Sequence, residues 1–213
     1  MTAAIEIRGL RAGYGERIAI DDVDLSIARG SLTAIFGPNG GGKSTLLKCI
    51  AGLMTPRAGT ISVLGEPVGA AARRIAYVPQ AEQVDWSFPI SVEEVVAMGR
   101  TPRIGPLGRV GAADRAAIDE ALERVEMSSY AARQIGELSG GQRRRVFIAR
   151  ALASEPDLYL LDEPVTGVDP VTQERIMNIL DAEAARGRTV VATTHDLACA
   201  AQRFHDVVAL AGD

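Results

Sequence analysis

Nine consecutive residues, Gly37-Pro38-Asn39-Gly40-Gly41-Gly42-Lys43-Ser44-Thr45, have the types and spacing that hold a triphosphate. Glycines carry no Cβ, so successive backbone N–H groups can curl around phosphate oxygens, and a helix opening on the loop turns its positive dipole end toward the anion. Lys43 then reaches the β- and γ-phosphates, and Ser44 offers a hydroxyl to the Mg²⁺ that bridges them. A second reactive pair ends the apolar run Leu158-Tyr159-Leu160-Leu161, where Asp162 and Glu163 stand side by side. Adjacent carboxylates at the end of a buried run are costly unless they bind something. Asp162 suits Mg²⁺, directly or through its outer sphere, and Glu163 suits orientation and deprotonation of an attacking water. His195 leaves another core run, Thr189 to Thr193, on the same side and can reach a γ-phosphate; His205, in a C-terminal helical stretch, reads as structural.

Two further stretches keep two readings open. Leu138-Ser139-Gly140-Gly141-Gln142 opens a helix, so Ser139 is either an ordinary N-cap or part of a second anion site. Tyr14, between Gly13 and Gly15, either packs or stacks on a base. The run Arg143-Arg144-Arg145 reads as a solvated helix face.

Elements must position these groups. Leu32 to Phe36 before the glycine loop is a short apolar strand, and Thr45 to Ile50 after it is helical. Ile5-Glu6-Ile7 and Val23 to Ile27 alternate as half-buried antiparallel strands do, whereas the unbroken run 158–161 suits a parallel strand covered on both faces. Thr60 to Leu64 and Arg74 to Val78 are further strands, the second stopped by Pro79-Gln80. From Ala81 to about Ser154 the character becomes helical. Ser91 to Glu94 is a capping box, and Ile118, Leu122 and Val125 recur at helical spacing. Residues 1–80 and 155–213 therefore form a nucleotide-binding core with a β-subdomain, and 81–154 an inserted helical subdomain of the same domain.

The 213 residues, 47% hydrophobic, are enough for one substantial core. A net charge of -4 offers no bulk attraction to nucleic acid, so no nucleic-acid partner is expected. Cys49 and Cys199 lie in apolar helical surroundings without a second metal-ligating neighbour, as reduced core residues do. No leader-like N-terminus and no run of about 20 apolar residues occurs, so any membrane-spanning part belongs to a partner.

Taken together, the loop 37–45, Gln80, the pentapeptide 138–142, the strand 158–163 and His195 stand in the order and spacing of the ATP-binding-cassette (ABC) ATPases, which the chain resembles over nearly its whole length. The resemblance implies an α/β fold: a P-loop NTPase core with a mainly parallel sheet, an N-terminal antiparallel β-subdomain and an inserted helical subdomain. It implies ATP and Mg²⁺ as ligands, Tyr14 stacked on adenine, and Gln80 sensing Mg²⁺ and the attacking water. It also implies that Ser139, Gly140, Gly141 and Gln142 bind the γ-phosphate held by a second copy, closed head to tail, with Asp169 touching that copy's site. His195 matches the switch histidine, and Glu163 the hydrolytic carboxylate.

Val165-Thr166-Gly167-Val168-Asp169 departs from the frequent Ser-Ala-Leu-Asp. With Asp213 standing soon after the last strand, no accessory regulatory domain is expected. The segment Val84 to Arg100 resembles the corresponding part of the manganese, zinc and iron uptake ATPases, although Trp86 and Phe88 equally suit packing beneath the helix capped by Ser91. The expectation is thus a motor subunit, peripheral on the cytoplasmic face of a bacterial membrane, working with a permease and an extracytoplasmic metal-binding protein to import zinc, manganese or iron. A siderophore or haem importer is the nearest rival. A soluble cassette ATPase acting on ribosomes or DNA lacks the expected second cassette or coiled-coil insertion, and a subunit without turnover would not need Glu163 and His195.

Overall fold

A computed structural model describes residues 2–80, 88–105 and 108–210. Alternation at the N-terminus produces strands β1 (Ala3–Tyr14) and β2 (Arg17–Ala28), with Ile5, Ile7 and Leu10 of β1 buried. They pair antiparallel, Ile7 opposite Leu25, and the other edge of β1 pairs antiparallel with β4 (Ala58–Val63). The short β5 (Glu66–Pro67) completes this sheet.

In the second sheet β6 (Ile75–Val78), β7 (Leu158–Leu161), β8 (Thr189–Thr194), β3 (Leu32–Phe36) and β9 (Asp206–Ala209) lie side by side in that order. The pairs β7–β8, β8–β3 and β3–β9 are parallel. Every residue of β7 and β8 is buried, the signature of strands covered on both faces. Leu161 stands opposite Ala192 and Phe36 opposite Thr194, so β3 and β8 end together and β7 ends two residues earlier on the same side. Gly37, Asp162 and His195 therefore leave the sheet at one C-terminal edge, where open α/β sheets bind ligands. Helix α1 (Lys43–Ile50) follows the glycine loop and buries Leu46, Leu47 and Ile50 in a core shared with Ile5, Leu10, Ile35 and Leu158. Cys49 joins that core, where burial pushes its thiol up; Cys49 and Cys199 are both buried and neither is in a disulfide.

The chain forms two units. Met1–Tyr77, Asp157–Glu163 and Leu180–Asp213 make the first, with both sheets; Val78–Pro156 and Pro164–Ile179 make the second. In the second unit α2 (Val92–Ala97), α4 (Ala112–Arg124) and α5 (Gly140–Ala153) pack together on Val92, Val96, Ile118, Leu122, Val146 and Ile148; the short α3 (Thr101–Ile104) lies between α2 and α4 in sequence. Segment 164–179, which the sequence assigns to the nucleotide-binding core, groups with these helices. It carries the start of α6 (Pro170–Ala185), where Arg175 pairs with Glu126 at 2.6 Å.

Ser91 forms the expected capping box: its hydroxyl accepts from the Glu94 N–H, and the Glu94 carboxylate accepts from the Ser91 N–H at 2.8 Å. The Ser91 N–H and hydroxyl, both donating to the Glu94 carboxylate, hold that carboxyl below its ordinary range. Two sequence expectations need correction, and one of two readings left open is removed. The arginine run is no solvated face, because Arg144 is buried while Arg143 donates to the carbonyls of Ile135 and Gly136 and Arg145 to that of Val125, satisfying chain ends left without helical partners. His205 lies beyond α7 (Leu197–Arg203), not within a helix, and accepts from the Leu32 N–H while its own N–H donates to the Leu32 carbonyl. Phe88 is 64% exposed and so packs beneath nothing; Trp86 and residues 84–87 lie outside the described residues.

Close approach fixes one glycine in the second unit. A Cβ on Gly99 would fall 2.2 Å from the Arg150 carbonyl oxygen of α5. Gly99→Ala should force the two segments apart and cost about 1–3 kcal/mol, read as a lower urea midpoint at unchanged slope. An unaltered midpoint would mean that this contact carries no packing constraint.

Candidate functional site

The glycine loop closes because Gly42 adopts a left-handed φ of 84°, and a Cβ there would meet the Ala19 carbonyl oxygen at 2.4 Å. Gly41 N–H turns back to the Pro38 carbonyl at 3.1 Å, while Pro38, Asn39 and Gly40 face solvent. At the centre of the curl, Lys43 Nζ donates to the carbonyls of Gly37 (2.9 Å) and Pro38 (3.0 Å) and is only 5% exposed. Ser44, half-buried, and Thr45, buried, open α1 directly behind it.

Opposite charges meet this ammonium. Glu163 Oε1 lies 3.8 Å from Lys43 Nζ, and Glu163 Oε2 lies 3.6 Å from His195 Nδ1. Glu163 is nearly buried whereas the His195 side chain is about half exposed, at 47%. Its backbone has φ 50°, a left-handed conformation that costs a residue with a side chain about 1–3 kcal/mol and tends to be kept at functional positions. The Glu163 N–H donates to Thr193 Oγ1 at 2.9 Å, and that hydroxyl donates to Asp162 Oδ1 at 2.7 Å.

Asp162 is fully buried, and its other oxygen, Oδ2, has no hydrogen-bond partner among the described residues. A buried carboxylate oxygen left so is expensive, and a hard cation is the natural partner for it. Among the described residues no three His, Cys, Asp or Glu side chains gather into a metal cluster. A cation held by one carboxylate, a serine hydroxyl and substrate phosphates matches the way Mg²⁺ is bound. The residues present fit the ion.

Tyr14, in the same unit, is 51% exposed, which removes the core-packing alternative; Lys48 Nζ lies 3.4 Å from its hydroxyl. Gln80, Ser139 to Gln142 and Asp169 all belong to the second unit. Ser139 caps α5 in a reciprocal box with Gln142, its N–H donating to Gln142 Oε1 at 2.9 Å, while Ser139 and Gly140 remain exposed. The cap accounts for Ser139 by itself, its hydroxyl accepting from the Gln142 N–H at 3.3 Å. Asp169 lies beside Gly141 and accepts from Thr172 Oγ1 (2.6 Å) and the Thr172 N–H (3.0 Å), which keep its carboxyl below the ordinary range. Gln80 is half-buried just past β6. Sequence reasoning missed Thr193: in the sequence it is one threonine closing a strand, and only the β7–β8 register sets it beside Asp162.

Triphosphate oxygens can replace the loop carbonyls on Lys43. Lys43→Ala should therefore weaken ATP binding by about 10²-fold or more, measured by titration with fluorescent nucleotide. Wild-type affinity in this variant would remove the loop as the binding element.

The ABC transporter family profile matches residues 20–166. The chain is 45% identical, over 97% of its length and 86% of the relative's, to the manganese transport system ATP-binding protein MntB of Listeria innocua. It is 44% identical to the zinc transport system ATP-binding protein TroB of Treponema pallidum, over 97% of this chain and 78% of that one. Among solved structures, an inward-facing ABC transporter assigned to the metal-chelate type superposes with TM-score 0.86 at 31% identity, covering 98% of this chain and 80% of the other. A dimeric ATP-binding cassette in a post-hydrolysis state, bound to ADP and Pi, does so with TM-score 0.82 at 29% identity, covering 98% and 96%. With the loop, the carboxylate pair and the histidine at one sheet edge, this likeness over nearly the whole length places the chain in the ABC transporter family, among its ATP-binding, ATP-hydrolysing proteins.

Proposed function

We propose that this chain is the motor of a bacterial metal importer, hydrolysing ATP at the edge where Lys43, Asp162, Glu163 and His195 converge. The carrying observation is the contact of Glu163 with both Lys43 and His195. Gly37 to Thr45 wrap the phosphates, with Lys43 on the β- and γ-phosphates, and Tyr14 offers its exposed ring to adenine. Ser44 and Asp162 would hold Mg²⁺, which would supply charge neutralisation at the phosphates. Glu163 takes the proton of the attacking water, and His195 donates a hydrogen bond to the γ-phosphate.

Two copies close head to tail, each offering Ser139, Gly140, Gly141 and Gln142 to the nucleotide of the other while Asp169 touches the partner's site. The exposed Ser139 and Gly140 at the start of α5 support that arrangement. So does the dimeric cassette among the similar structures. The helical segment 81–154 is the inserted subdomain that engages the permease. No helix among the described residues is long and apolar enough to cross a membrane. The membrane path thus belongs to a separate permease, with this chain peripheral on the cytoplasmic face and an extracytoplasmic binding protein presenting the cargo. A divalent transition metal is the cargo best supported, because relatives named for manganese and for zinc transport are 44–45% identical. The metal-chelate transporter keeps a chelated metal as the second reading.

Glu163→Gln should retain ATP binding, lose about 10²- to 10⁴-fold in turnover and accumulate an ATP-bound dimer on gel filtration. Full turnover without dimer would contradict the carboxylate's role. Deleting the protein from its host should lower cellular manganese, zinc or iron when each is scarce, measured by elemental analysis. Unchanged levels of all three would end the cargo assignment and leave the ATPase untouched.

A further inference from the structure

We infer that Thr193 is a positioning residue for hydrolysis, its one hydroxyl setting the orientation of both acidic side chains at the end of β7. The hydrogen-bond directions are unambiguous. The Glu163 N–H can only donate, so Thr193 Oγ1 accepts there (2.9 Å), and its single proton goes to Asp162 Oδ1 (2.7 Å). That bond occupies one Asp162 oxygen and leaves Oδ2 as the buried atom without a partner. A carboxylate with one oxygen tied is a carboxylate whose rotation is stopped. The other bond ties down the N–H of a residue in the left-handed region, at φ 50°, next to the turn that sends its carboxylate toward Lys43 and His195.

Thr193 is fully buried in a strand whose neighbours Val190, Val191 and Ala192 are apolar, so its hydroxyl has a specific use there. The hydroxyl of Thr194 does not substitute for it, being engaged with the Asp196 N–H at 3.0 Å. Thr193 touches neither phosphate nor water in this role; it acts through Asp162 and Glu163. The assignment rests on Asp162 holding Mg²⁺ and Glu163 directing water, as proposed above.

The test uses the full chain carrying Thr193→Val, which keeps the volume and removes both bonds, and Thr193→Ser, which restores them. Affinity for a fluorescent non-hydrolysable ATP analogue is measured in EDTA and in Mg²⁺, and turnover is measured separately. In Thr193→Val the affinity in EDTA should stay within about twofold of wild type, while the gain on adding Mg²⁺ shrinks by about tenfold and kcat falls by about 10- to 100-fold. Thr193→Ser should return both toward wild type. A valine variant with the full Mg²⁺ gain and wild-type kcat overturns the inference, as does a serine variant no better than valine. Should the valine chain not fold, Thr193→Cys takes its place, since a thiol of similar size is a weak donor; an undiminished Mg²⁺ gain there overturns it equally. If the wild-type chain shows no Mg²⁺ gain, the assignment of Asp162 falls and Thr193 with it, an outcome distinct from a gain that survives only the mutation.

Discussion

Lys43 and Glu163 bring opposite charges to within 3.8 Å at a place where both side chains are almost excluded from water. Removing one such partner leaves the other buried and unpaired, which is costly, so the strands that lead to them must be held in register. The parallel register of β3, β8 and β7 meets that demand. It also explains the unbroken burial of β7 and β8, because a sheet that carries charge at its edge has to be anchored along its length. Among the described residues, Lys43 leans on two loop carbonyls and Asp162 keeps one oxygen without a partner. Such a site is held ready for an anion and a cation together.

Backbone geometry supplies the remainder. Gly42 and Glu163 both have positive φ, one at no steric cost and the other under strain, and they flank the place where phosphate would lie. The strain at Glu163 is sustained by a bond from its own N–H to a strand threonine, so the precision of the site comes from the sheet and not from the loop.

The second unit solves a different problem, the satisfaction of helix ends. Ser91, Ser139 and Asp169 accept from N–H groups of a first turn, and Arg143 and Arg145 donate to carbonyls at chain turns. These short-range bonds leave the apolar faces of α2, α4 and α5 free to pack on one another. They also leave Ser139 and Gly140 at the start of α5 exposed.

Much of the protein was legible without coordinates because its signals are local. The glycine loop, the capping box at Ser91, the alternating strands and the apolar run before Asp162 depend on residues within a few positions of each other, and local sterics and dipoles fix what they do. The arginine run and His205 defeated that kind of inference, since their partners at Ile135, Val125 and Leu32 come from other segments and composition carries no record of them. For Phe88 the sequence left two readings open, because whether an aromatic ring is covered is decided by what folds over it. The sequence by itself therefore determined the chemistry available here, a phosphate loop, two carboxylates and a histidine in a fixed order. Only the tertiary structure decided which of their atoms meet and that Thr193 stands between the carboxylates, because strand register, a long-range property set by burial across the whole sheet, brings 162, 163 and 193 together.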